Sequence, residues 1–140
     1  MLSIAFIACS KTKHSAPCTA EQMYQGALFK KALKYCRLHF DQVYILSAKY
    51  GLLSTSQIIE PYEMTLNSMS KSERATWGRK VEAQLQVAGL INPQVLWFFT
   101  GKLYHEFFIG NKPLTGLSLG HQLKWFTDRL QKEKSEGFGL

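Results

Sequence analysis

Residues 43–66 read VYILSAKYGLLSTSQIIEPYEMTL. The opening Val43 to Ala48 is an apolar, β-branched run ending in small residues, the pattern of a strand buried on both faces of a sheet. Polar chemistry begins abruptly behind it, with Ser47, Lys49 and Tyr50 leading into Gly51, and Glu60, Pro61, Tyr62 and Glu63 following. Ligands of open α/β sheets bind at the carboxyl ends of strands, so a strand that stops in Ser, Lys, Tyr and Gly points to a site. The competing reading is a plain turn in which Gly51 supplies a positive φ.

Two further segments repeat this plan. Leu2 to Ala8 is a short continuous apolar run, read as the first strand, and it ends in Cys9, Ser10, Lys11, Thr12, Lys13 and His14. Hydroxyls, ammonium groups and backbone N–H groups leaving a buried strand together can hold an anion. The spacing of a nucleoside-triphosphate P-loop is absent. Gln94 to Phe99 is the third strand, followed by Thr100, Gly101, Lys102, Tyr104 and His105. Asn111 to Leu117 is punctuated by Gly and Pro and reads as a brief fourth strand or a loop.

Helical periodicity fills the intervals. Thr19 to Leu38 predicts one helix, with Tyr24, Leu28, Ala32 and Tyr35 facing the core and Lys30, Lys34 and Arg37 forming a basic stripe that serves as its solvated side or touches phosphate. Ser70-Lys71-Ser72-Glu73 has capping-box spacing, so a second helix starts there, with Trp77, Val81, Leu85 and Ala88 as its apolar stripe and Gly89 near its stop. A last helix from Ser118 carries Leu119, Leu123, Phe126 and Leu130, and its polar tail of about eight residues is expected to fray. The alternation implies a single three-layer α/β domain over 1–140, with a small parallel sheet of three to four strands and helices on both faces. Right-handed crossovers then bring all three strand exits to one edge.

The chain has 140 residues, 46% of them hydrophobic, enough for one core. Seventeen Lys/Arg face ten Asp/Glu, a net charge of +7 with a pI near 9.4. The excess sits in residues 1–49, which hold seven basic and two acidic side chains. Nucleic acid is the first partner to consider for such a chain. Cys9, Cys18 and Cys36 show no paired spacing, and His14, His39, His105 and His121 no ligand spacing, so neither a metal nor a cofactor is expected. No apolar run approaches the ~20 residues of a membrane span, and a reducing cytoplasm is the expected compartment.

Several motifs carry a resemblance to a known group. ACSKTK after the first strand (Cys9, Ser10, Lys11, Lys13), ILSAKYGLL (Ser47, Lys49, Tyr50, Gly51) and the Pro61-Tyr62 pair resemble the YaaA-type group, which includes peroxide-stress proteins and many short single-domain relatives. A later Gly101 to Tyr104 spacing and a helix start at Gly120, Gln122, Leu123 and Trp125 are similar to those short relatives. The larger members have extra helical DNA-binding material and a PYR-like sequence where this chain reads Pro61-Tyr62-Glu63. The resemblance implies a fold similar to uracil-DNA glycosylases, and some small members of the wider group look like phage-defence enzymes that remove glucosylated hydroxymethylcytosine. The GQDPYH-like and HPS-like loops of uracil glycosylases are absent.

N-glycosidic cleavage passes through an oxocarbenium-like sugar, which calls for a carboxylate, donors for the departing base, aromatic surfaces for an extruded base and cations for the flanking phosphates. Glu63, Tyr50 and Ser47 are the expected catalytic group, with Glu60 and Asp41 as other carboxylates. Cys9, Ser10, Lys11, Lys13, Lys49, Gly51, Tyr62, Gly101, Tyr104 and Gln122 are the expected contacts to DNA and base. Two other readings remain at this point. One is a non-catalytic DNA-binding or stress-protection module, and the other is an enzyme acting on free nucleotides.

Overall fold

The computed structural model describes residues 2–135. Three parallel strands form its spine: β1 (Ile4–Ala8), β3 (Gln42–Ser47) and β6 (Leu96–Phe99). The sheet order is β4-β3-β1-β6, with β4 (Gly51–Ser54) antiparallel to β3 through a tight connection at Ala48–Tyr50. A two-stranded ribbon of β2 (Cys18–Thr19) and β5 (Ile58–Ile59) lies beside it. The fourth sheet strand is thus Gly51–Ser54, within the stretch read as a site loop. The Asn111–Leu117 segment contributes one bridge, Trp97 to Asn111.

Five α-helices, α1 (Ala20–Met23), α2 (Ala27–His39), α3 (Lys71–Val87), α4 (Lys102–His105) and α5 (Leu119–Ser135), and two short 3-10 turns at Leu66–Ser68 and Pro93–Val95 complete the described chain. The expected Thr19–Leu38 helix is broken at residues 24–26. His14 N donates to Met23 O at 2.7 Å and Gln25 N to Thr12 O at 2.8 Å, so this backbone pairs with the loop after β1 instead of closing helical turns. The second helix starts as its capping box predicts, with Ser70 Oγ accepting from Glu73 N and the Glu73 carboxylate accepting from Ser70 N. Gly89, at φ +75°, ends it. The expected fraying of the last eight or so residues falls mostly on 136–140, outside the described residues; 133–135 are helical.

Alternation along the strands assigns the layers. Phe6 and Phe98 are register partners and stack at 4.7 Å, and Phe98 stacks on Phe108 at 5.5 Å, which in turn meets Trp77 of α3. The next β6 residue, Phe99, points the other way, against Tyr35 of α2 and Trp125 and Phe126 of α5. Helices therefore cover both faces, α3 on one and α2 with α5 on the other. In α2 the buried residues are Phe29, Ala32 and Cys36. Burial raises the Cys36 thiol far above its usual range. Lys30, Lys34 and Arg37 are exposed, and Arg37 pairs with Glu21.

Candidate functional site

The exits of β1, β3 and β6 meet at one edge, where the buried hydroxyls of Tyr24, Ser47 and Tyr62 lie beside the half-buried Cys9 and Tyr104. Ser47, the last residue of β3, is fully buried, and its hydroxyl lies 2.7 Å from the Tyr62 hydroxyl. The Tyr62 hydroxyl lies 2.8 Å from that of Tyr24. Cys9, just past β1, places its thiol 3.2 Å from the Tyr104 hydroxyl on α4. Burial above all raises the phenols: Tyr24 is pushed up to about 12, and Tyr62 and Tyr104 rise further, with the nearby Cys9 adding to both.

Cations rim this cluster. The half-buried Lys13 holds its ammonium 4.6 Å from the Tyr62 ring centroid and 6.0 Å from that of Tyr24, and donates to Lys11 O at 3.2 Å. Lys49 stands over the Tyr50 ring at 5.2 Å, and Lys11 is exposed. These contacts combine cation–π attraction with a solvent-accessible positive rim of a kind that attracts phosphate. Ser10 turns its hydroxyl to Thr12 O at 2.8 Å and accepts from Gly26 N at 3.2 Å. A side chain at Gly26 would stand 2.9 Å from Ser10 Cβ, so glycine lets the start of α2 close on this loop.

The connection between β3 and β4 is held by one face of α3. Trp77 Nε1 donates to Ser47 O at 2.9 Å, Lys80 Nζ to Lys49 O at 2.9 Å, and Gln84 Nε2 to Tyr50 O at 3.1 Å. The Gln84 carbonyl also accepts from Leu52 N at 2.8 Å. Spacing of three, four and seven residues puts all three side chains on one helical face. The Tyr50 hydroxyl accepts from Glu60 N at 3.2 Å, tying the turn to the 60–63 segment.

Of the expected site residues, Cys9, Lys13, Ser47, Tyr62 and Tyr104 come together. Tyr50 meets Tyr62 edge-on, with ring centroids 5.7 Å apart. Gly51 is the hinge of the hairpin at φ +75°. Gln122 is buried and donates to Leu117 O at 3.0 Å, bracing the start of α5, while a side chain on Gly101 would touch its amide at 3.6 Å. Glu63 is exposed, with no hydrogen bond or ion pair among the described residues. His105 is buried, and burial foremost, with Lys112 near it, holds its imidazole below the usual range and therefore neutral at pH 7. The sequence pattern gives Tyr24, Trp77 and Gln84 no site role. The available signal was Tyr24 itself: a buried tyrosine needs a partner for its hydroxyl, and a plain core face would have been served by phenylalanine.

The raised phenols set an expected result at alkaline pH. A folded-state value above the unfolded 10.0 stabilises the fold fully below pH 10, and for Tyr24 that contribution is lost as pH rises from about 10 to about 12. Phenolate absorbance from Tyr24, Tyr62 and Tyr104 should therefore appear together with loss of the near-ultraviolet circular dichroism signal. Ionisation of every tyrosine near pH 10 in a folded protein would contradict this burial.

Among the described residues no group of three His, Cys, Asp or Glu is placed to hold a metal ion, and no helix is long and apolar enough to cross a membrane. No curated protein and no solved structure matches the chain. The model of one family, described as a family of unknown function (DUF6884), matches residues 4–128, nearly the whole of the described fold. The chain belongs to that family.

Proposed function

We propose that the protein is a cytoplasmic DNA glycosylase that hydrolyses the N-glycosidic bond of a modified base, such as glucosylated hydroxymethylcytosine of phage DNA, and leaves an abasic site. The observation that carries this reading is the cluster of buried Tyr24, Ser47 and Tyr62 with half-buried Cys9 and Tyr104 beneath Lys13, at the edge where three parallel strands end. Hydroxyl donors in a dry site suit a leaving base that gains negative charge. Lys11, Lys13 and Lys49 suit the phosphates on either side of an extruded nucleotide. Glu63 follows the anchored Tyr62 directly and supplies the carboxylate for water.

A second reading is favoured by one feature: the buried cluster contains no carboxylate. A non-catalytic DNA-binding module needs only the cationic rim. Incubation with a plain duplex and with one carrying glucosylated hydroxymethylcytosine, followed by alkali, separates the two. Strand breaks in the modified duplex alone are expected. Salt-dependent binding to both duplexes with no breaks in either would replace the glycosylase with the binding module.

A further inference from the structure

Helix α3 covers its side of the sheet incompletely. A groove of about 580 Å³ runs between it and the residues after α4, floored by Leu85, Leu90, Leu96 and Phe98 and walled by Phe107 and Ile109. Phe107 is seated on α3 itself, because a Cβ at Gly78 would stand 2.9 Å from its ring. The rim is apolar and open: Val87 is 91% exposed, Ile109 79% and Ile91 65%. Exposed aliphatic side chains gathered around one groove mark an interaction surface.

Charge narrows what that surface can meet. Residues 83–101 are the longest run of the sequence without a Lys, Arg, Asp or Glu, and within 86–94 every residue but Leu90 is exposed. Phosphate has no cation to approach along this run. The two charged side chains in the groove lining are Arg79 and Glu82, both exposed and of opposite sign. Neither forms an ion pair among the described residues, where Arg79 donates to Thr76 Oγ1 at 3.1 Å. A balanced pair of this kind, in a chain of net +7, suits a surface that presents the same two charges in reverse order. A second copy of the chain does so.

The spacing along α3 fits a two-fold axis. Ala75, Arg79, Glu82 and Gln86 lie in one row on the groove side, four, three and four residues apart, a series that reads the same in both directions. Two such helices packed antiparallel about a two-fold axis set Arg79 of each copy against Glu82 of the other, and Ala75 against Gln86. We propose that this face joins two copies of the chain in a two-fold dimer, held by the apolar rim and keyed by the reciprocal Arg79 and Glu82 pairs. The inference is independent of the glycosylase reading, since none of the groove-lining residues belongs to the hydroxyl cluster or its cationic rim.

Sedimentation equilibrium of the full chain from about 1 to about 100 µM, a window that brackets micromolar affinity, is the test. The wild-type protein should approach twice its 16.0 kDa mass as concentration rises. Glu82→Arg sets like charges against each other at both ends of the two-fold contact and should weaken association about tenfold or more. Adding Arg79→Glu restores opposite signs and should return the association constant to within about threefold of wild type. Both positions are exposed, so the monomer of each variant should keep the wild-type circular dichroism spectrum. A wild-type chain that stays monomeric overturns the proposal, and cosedimentation of that monomer with neutral phosphatidylcholine vesicles would give the face to a membrane surface instead. Dimers that Glu82→Arg leaves intact, or a double variant no tighter than the single one, overturn the pairing of copies through this face.

Discussion

Gly51→Ala is expected to destabilise the fold by about 3 kcal/mol, a large share of the roughly 5–15 kcal/mol typical of a domain. Gly51 sits at φ +75°, where an L side chain costs about 1–2 kcal/mol. A Cβ there would stand 2.2 Å from the Gln84 side-chain carbonyl oxygen. Gln84 cannot swing aside freely, because its amide holds Leu52 N at 2.8 Å and Tyr50 O at 3.1 Å, and each bond lost costs about 1 kcal/mol. Thermal melting should fall by about 10 °C. Gly89→Ala is the control, since Gly89 has the same φ and nothing within 4 Å of its added Cβ, so it should lose only the backbone term. Equal losses at the two glycines would show that the grip of α3 on the hairpin contributes little.

Glu63→Gln is expected to lower the rate of abasic-site formation by about 10²–10⁴ while leaving DNA affinity nearly unchanged, the range for loss of a positioned acid or base. Glu63 is exposed and unpaired among the described residues, so the amide removes no structural contact. Exposed substitutions of this kind change stability by about 0.5 kcal/mol or less. A fall in rate would therefore be chemical in origin. An unchanged rate would take Glu63 out of the mechanism and leave the hydroxyl cluster acting without a carboxylate.

The three buried strands were legible because a continuous apolar run bounded by polar residues has few other meanings, and the polar residues at their ends did prove to share an edge. Ser70 and Glu73 marked their helix start because each side chain has one natural backbone partner there. The break in the first helix was not legible. Tyr24 fits a helical core face in the linear pattern, and only pairing of residues 23–25 with the loop after β1 turns it into the strand-end cluster. The antiparallel Gly51–Ser54 strand was hidden for a related reason. Its hydrogen bonds go to β3, and its turn is held by Trp77, Lys80 and Gln84 from a helix about thirty residues away. Local propensity carries no trace of such a partner. Glu63 shows the reverse case: adjacency to Tyr62 in sequence did not bring its side chain into contact with the buried hydroxyls.

The central claim is that this strand edge releases an intact base from DNA, and the most direct measurement is mass spectrometry of the small molecules liberated from a duplex carrying glucosylated hydroxymethylcytosine. The predicted product is the free glucosylated base, in amounts equal to the abasic sites formed. Free glucose, released nucleotides or no product at all would contradict the account.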